Sequence, residues 1–207
     1  MVRNIDSIIF DIGNVFVDWS PRHLYEQLIS DSAELEYFLK NIVTLEWHTE
    51  HDKGRPFAEG VRILSEQFPE YAELISAFDY RWDDTIKAKI DGTVRILDRL
   101  AATDIELYAL TNFSQEKWPA FAEQYEFTRH FKGVVVSGEE RMVKPDPRIF
   151  NLIIERFNLD PSRTLFVDDR AENVKAGEVS GMIGHLFTGP DDGPVKLEAH
   201  LKDVGVL

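Results

Sequence analysis

The stretch Ser7-Ile8-Ile9-Phe10-Asp11-Ile12-Gly13-Asn14-Val15 reads as a short apolar run closed by an acid and a turn. An apolar run of this length bounded by turn residues is the pattern of a strand buried on both faces of a parallel sheet. Outward from it, comparable runs recur at Glu106 to Leu110, Gly133 to Val136, Thr164 to Val167 and Ile183 to Phe187. Helical patterns lie between them at Thr93 to Ala101, Gln115 to Gln124, Pro147 to Phe157 and Glu172 to Val179. Strand and helix alternating in this way predict a Rossmann-like, doubly wound α/β fold with a parallel sheet.

The stretch from about Trp19 to Lys89 breaks the alternation. It offers no convincing strand, and its apolar spacing predicts helices at Pro21 to Ile29, Ala33 to Lys40, Phe57 to Phe68 and Tyr71 to Ile86, with breaks near Ser30-Asp31 and at Lys53-Gly54-Arg55-Pro56. We read it as an inserted helical lobe. The expected division is an α/β core of residues 1–18 and 90–207 and a helical cap of residues 19–89, seated over the carboxyl ends of the strands, where ligands bind in open α/β folds. From Gly189 to Leu207 a turn should lead into a short closing helix.

Composition narrows the function classes. The 207 residues carry 23 basic and 37 acidic side chains, a net charge of −14, which argues against nucleic acid as the partner because phosphate-backbone binding depends on clustered Lys and Arg. With no cysteine there is no disulfide, thiolate nucleophile or Cys-ligated metal, a composition that fits a reducing compartment. No run of eighteen apolar residues occurs, so we expect no membrane span, no secretory signal and a cytoplasmic location. Oligomeric state is not legible.

Chemistry-bearing residues fall at the carboxyl ends of predicted strands: Asp11, Thr111-Asn112, Lys144 and Asp168-Asp169. Residues that end parallel strands converge on one crevice. Taken singly, each has an ordinary structural account: Asp168-Asp169 as a helix cap, Thr111-Asn112 as turn chemistry, Lys144 as a solvated loop lysine. Together they form a set able to bind Mg²⁺ and a phosphoryl group, the acids as hard oxygen ligands and Lys144 and Thr111 as partners of phosphoryl oxygens.

In order along the chain, Asp11-Ile12-Gly13-Asn14-Val15, Leu110-Thr111-Asn112, Lys144-Pro145-Asp146-Pro147 and Phe166-Val167-Asp168-Asp169, followed by Asn173, resemble the motifs of the haloacid dehalogenase superfamily, in particular its phosphatase-type members with a helical cap. The resemblance spans nearly the whole chain. It implies that Asp11 attacks phosphorus to form an aspartyl-phosphate. It also implies that Mg²⁺ is held by Asp11, the Gly13 carbonyl, Asp168 and Asp169, and that Lys144 keeps Asp11 ionised. The substrate would be a small phosphate ester, such as a sugar phosphate.

One departure stands out. The common phosphatase pattern has a second aspartate two residues after the nucleophile as general acid and base, and here that position is Gly13. A bacterial branch resembling α-glucose-1-phosphatase has the same style of motif. Haloacid dehalogenases, the alternative within the fold, also lack that acid and need no metal. They do not usually keep adjacent acids where Asp168-Asp169 stand, however, and two carboxylates beside Asp11 without a cation would repel one another. A non-catalytic module that binds phospho-ligands or proteins is the remaining alternative.

Within the lobe, His48-Thr49-Glu50-His51 lacks the zincin spacing, and His48 and His51 are expected as exposed helix polar residues, with a cap-lining role second. Trp19, Trp47, Trp82 and Phe57 are expected in the lobe's core, though one aromatic at the mouth would suit a sugar face. Asn173 is equally a helix-start cap or support for the site. Arg141 reads as a surface arginine.

Overall fold

The computed structural model describes residues 5–207. Residues 1–4, the start of the expected first core segment, lie outside the described residues. In chain order the elements are β1 (Ser7–Phe10), β2 (Val17–Trp19), α1 (Pro21–Tyr25), α2 (Ser32–Asn41), α3 (Leu45–Asp52), α4 (Phe57–Gln67), α5 (Ala72–Tyr80), β3 (Ile86–Lys89) and α6 (Asp91–Ala101). There follow β4 (Glu106–Thr111), α7 (Trp118–Gln124), β5 (Gly133–Val136), α8 (Ser137–Glu140), α9 (Pro147–Phe157), β6 (Thr164–Asp168), α10 (Ala171–Val179), β7 (Ile183–Leu186) and α11 (Gly193–Asp203).

Five strands form one parallel sheet in the order β5-β4-β1-β6-β7. Side chains that alternate along a strand enter opposite faces. Ile8 and Phe10 of β1 accordingly join Leu107, Ala109, Leu165 and Val167 in one core. Ile9 joins Leu110, Phe166 and the Ile149, Phe150 and Ile153 face of α9 in the other. The helices are set by local chemistry: α9 starts where the Asp146 carboxylate accepts from Arg148 N–H with Pro147 at the first turn, and it ends at Asn158 in the left-handed region.

The chain leaves β1 toward β4 and leaves β6 toward β7, on opposite sides, so the order reverses between β1 and β6. Ligand crevices form at such a reversal. Asp11 and Asp168 stand there, the Asp11 N–H continuing the ladder to Val167 O at 2.8 Å.

The segment expected to lack strands is corrected at both of its ends. Val17–Trp19 pairs antiparallel with Ile86–Lys89, Val17 opposite Lys89 and Trp19 opposite Ile86. The expected helix Tyr71 to Ile86 therefore stops at Tyr80, and after a short 3₁₀ turn the chain extends. The helix from Pro21 ends at Tyr25 rather than Ile29, and α7 starts at Trp118 rather than Gln115. One helix, α3, was not among the expected ones. It is capped by Thr44, whose hydroxyl accepts from Trp47 N–H, but its inward positions are His48, His51 and Asp52, which give no apolar periodicity.

The helical segment is fastened to the sheet layer at several points. Phe57 N–H donates to Glu116 Oε2 at 2.8 Å, and Lys117 Nζ donates to the carbonyl and carboxylate of Asp79 at 2.9 and 2.6 Å. Ser137 Oγ, at the end of β5, donates to Asp52 O at 2.6 Å and accepts from Phe113 N–H at 2.9 Å. Among the described residues, no helix is long and apolar enough to cross a membrane.

Candidate active site

Past β1, residues 12–17 fold into a tight turn. Asn14 takes a left-handed φ of 56°, its N–H donates to Val17 O at 2.7 Å, and its Oδ1 accepts from Trp19 N–H at 3.0 Å. Asn tolerates this conformation better than most residues. The turn presents Gly13 and Asn14 to a cavity of about 550 Å³. Asp11, Asn112, Lys144, Asp169 and Asn173 line it from the sheet, and Trp19, Leu45, His48, Asp52 and Trp82 from the ribbon and helical side.

Lys144 organises the cavity floor. Its side chain is fully buried, and Nζ lies 2.8 Å from Asp11 Oδ1, 2.7 Å from Asp168 Oδ2 and 2.8 Å from Leu110 O. Asn112 fixes the backbone of this lysine reciprocally, Nδ2 donating to Lys144 O at 3.0 Å and Oδ1 accepting from Lys144 N–H at 2.8 Å. Asp168 Oδ1 accepts from Arg170 N–H and from Asn173 Nδ2, both at 2.9 Å. Asn173 thus supports the site directly. Oxygens of Asp11, Asp168 and Asp169 lie within 4.8 Å of one another.

Burial, with Asp168 and Asp169 adding to it, lifts the Asp11 carboxyl to about 7 against the pull of Lys144. Lys144 pulls Asp11 toward the ionised form, as expected, but one buried ammonium is shared by two carboxylates beside a third. Asp169 is likewise raised, by burial and by Asp168, against Lys144 and a hydrogen bond to the Asn14 side chain. Burial opposes the charge on Lys144, yet Asp11 and Asp168 more than offset it and its pKa is raised. Three carboxylates and one ammonium leave an excess of negative charge in a buried volume, and that excess with hard oxygen donors is the composition that suits a divalent cation.

Asp11, Gly13, Asn112, Lys144 and Asp169 come together on the cavity wall, with Asp168 fully buried behind Lys144. Thr111 is buried at the end of β4, where the wall itself is formed by Asn112, Phe113 and Ser114. His48 and His51 are buried rather than exposed, which overturns their expected place on a solvated face. His48 lines the cavity under the Trp19 ring, 4.8 Å between centroids, whereas His51 stacks on Phe57 at 4.4 Å and bonds Arg55 O. Trp19 and Trp82 are cavity walls. Phe57 and Trp82 also belong to the buried core, and Trp47 and Trp19 pack against it, as expected. Arg141 is exposed, as expected, with a left-handed φ of 55°. The residue that sequence reasoning missed is Asp52, which is 5 % exposed yet lines the cavity. Its i, i+4 spacing from His48 on a Thr-capped helix was the available signal.

A family model described as haloacid dehalogenase-like hydrolase matches residues 5–181. The chain is 25% identical over 188 residues to the sesquiterpene phosphatase astK of Aspergillus oryzae, covering 90% of this chain and 92% of that one. It is 24% identical over 205 residues to a phosphorylated carbohydrates phosphatase of Thermotoga maritima, covering 94% and 91%. Among solved structures, a HAD family enzyme of Bacteroides thetaiotaomicron in complex with magnesium and inorganic phosphate superposes with a TM-score of 0.71 at 22% identity, covering 91% of this chain and 96% of that one. The likeness to that structure is one of fold.

Proposed function

Since the chain belongs to the haloacid dehalogenase-like hydrolases, we propose that it is a Mg²⁺-dependent phosphomonoester hydrolase that works through an aspartyl-phosphate on Asp11. The observation that carries the reading is the convergence of Asp11, Asp168 and Asp169 around one buried Lys144 at the floor of the cavity. Asp11, the Gly13 carbonyl, Asp168 and Asp169 would hold the ion. Bound there, Mg²⁺ supplies positive charge to the phosphoryl oxygens and to the crowded carboxylates.

The residues of the chain divide the remaining work. Asp11 Oδ1 is taken up by Ile12 N–H at 2.7 Å and by Lys144, while Oδ2 has no hydrogen bond among the described residues and serves as the attacking atom. Lys144 holds Asp11 in place and offsets the charge that builds on the phosphoryl oxygens. Asn112 fixes Lys144, and Asn173 fixes Asp168. The adjacent acids favour this reading over carbon–halogen displacement, which has no use for a second and third carboxylate beside the nucleophile.

The walls point to the kind of ester. Trp19, Val17, Leu45, Trp82, Ile86 and Phe113 supply apolar surface. Among the described residues, Arg170 is the one Lys or Arg on the lining besides Lys144, and it is already paired with Glu172. A single phosphate on a small organic part with an apolar face, a sugar ring or a hydrocarbon, fits such a lining better than a polyphosphate. The test is phosphate release from a panel of sugar, alkyl and aryl phosphates with Mg²⁺ and with EDTA, together with mass spectrometry of the quenched enzyme. Mg²⁺-dependent release with phosphate retained on Asp11 is expected. EDTA-insensitive halide release from a 2-chloro acid, with no phosphatase activity, would overturn the reading.

A further inference from the structure

The phosphatase reading leaves one chemical need unmet: a proton for the departing alkoxide, and a base for the water that later frees Asp11. Gly13 has no side chain to supply either. Asp168 and Lys144 are bound to one another, and Asp169 belongs to the candidate ion site. Of the other ionisable side chains on the cavity wall, Arg170 is paired with Glu172 and Glu46 is exposed on α3. His48 and Asp52 remain.

We propose that Asp52 is the general acid and base of this site, reaching into the cavity from the last turn of α3 and steadied by His48. The claim rests on the phosphatase reading above. Its geometry is specific. Asp52 is buried, lines the same cavity as Asp11, and among the described residues has no Lys or Arg within ion-pair distance, its neighbour being the His48 imidazole. Its main chain is pinned to the sheet layer by the Ser137 Oγ hydrogen bond at 2.6 Å, so the carboxyl is held relative to the nucleophile across the two parts of the molecule. Oδ2 lies 3.4 Å from His48 Nε2, and His48 is itself clamped between the Trp19 face and the Phe78 edge. General acid catalysis requires a donor so fixed within the site.

Electrostatics agree with the placement. Burial, reinforced by the charge of Asp11 and opposed by Lys144, pushes the Asp52 carboxyl to about 8. Burial, with His51 adding to it, drops His48 to about 3. Both shifts favour a proton on the Asp52 carboxyl beside a neutral His48 imidazole, the arrangement a general acid needs. In the first half-reaction Asp11 Oδ2 forms a bond to phosphorus as the bond to the leaving oxygen breaks, and that oxygen takes the Asp52 proton and departs as an alcohol. In the second, the Asp52 carboxylate takes a proton from water as the water oxygen attacks phosphorus. The bond to Asp11 breaks, inorganic phosphate leaves, and both aspartates return to their starting states.

The experiment compares a primary alkyl phosphate with p-nitrophenyl phosphate under Mg²⁺ in the native enzyme, Asp52→Asn, and Asp52→Asn combined with Gly13→Asp. Asp52→Asn should cut kcat/KM on the alkyl ester by about 10²–10⁴-fold. On the aryl ester, whose leaving group needs no proton, it should keep a rapid stoichiometric burst of nitrophenolate followed by slow turnover, because the base for water is gone. A Cβ at Gly13 meets nothing within 4 Å, so the second substitution has room to restore alkyl turnover. Near-UV circular dichroism checks folding, and Asp52→Ser carries the same test if the amide does not fold. Equal losses on both esters without a burst, or no loss on the alkyl ester, would overturn the role of Asp52. A native enzyme that releases no phosphate from any ester with Mg²⁺ would instead overturn the phosphatase reading, and the acid with it.

Discussion

Lys144 Nζ and Asp168 Oδ2 are 2.7 Å apart with both side chains wholly excluded from solvent, and the same ammonium reaches Asp11 at 2.8 Å. A buried ion pair of this kind is weak as a source of stability when intact and costly when broken, because the survivor is left charged in a poor solvent.

Lys144→Met should therefore abolish turnover and destabilise the fold by ~3–5 kcal/mol at neutral pH. Urea denaturation measures it. Part of the loss should be regained near pH 5, where the stranded carboxyls protonate. A variant as stable as the native protein at neutral pH would contradict the charge balance described above.

Asp11→Asn should remove turnover and phosphate retention while leaving the fold intact, since the amide is nearly isosteric but does not form an acyl phosphate. Burial lifts Asp11 to about 7, so deleting its charge should also leave the melting temperature unchanged or higher. Calorimetry and the phosphatase assay together check both halves.

Mg²⁺ should stabilise the native protein, by ~2.7 kcal/mol when the free ion is at a hundred times its dissociation constant. Asp169→Asn should lose most of that gain and Asp168→Asn all of it. Thermal melts with Mg²⁺ and EDTA give the answer without any turnover. An equal Mg²⁺ effect in all three proteins would place the ion elsewhere.

Asp52 makes a prediction about stability that is separate from rate. Its folded pKa of about 8 lies above its unfolded value, so the folded state binds more protons between roughly pH 4 and 8. The contribution of Asp52 is fully present below that window and is lost as pH rises through it. Asp52→Asn lacks this loss, so its advantage over the native protein should grow from pH 4 to pH 8, to the order of a few kcal/mol. Paired urea titrations across that range test the sign.

The sheet was legible because its strands are buried on both faces, so that runs such as Thr164 to Val167 stand out against any helix pattern. The convergence of Asp11, Asn112 and Asp168 was legible with it, since parallel strands deliver them to one edge. The ribbon was not legible: Ile86-Lys87-Ala88-Lys89 is largely exposed and its partner is three residues long, so neither carries an apolar alternation. Helix α3 was lost for the opposite reason, its buried side being made of His48, His51 and Asp52. Burial of such groups depends on what packs against them from distant parts of the chain, as Ser137 and Phe57 do here. For the same reason the carboxyl that we assign to proton transfer was the part of the site hardest to read.

The pairing of Val17 with Lys89 sets the two ends of the intervening helical segment side by side, about 5 Å apart as neighbouring strands are. To the sheet, everything between them is a single closed loop whose length adds only a logarithmic entropic term. The ribbon is thus a socket. Helices of another size or lining can be plugged into it while Asp11, Lys144, Asp168 and Asp169 stay where the strands put them, and one contiguous cassette carries both the variable walls of the cavity and Asp52, the carboxyl that we assign to proton transfer.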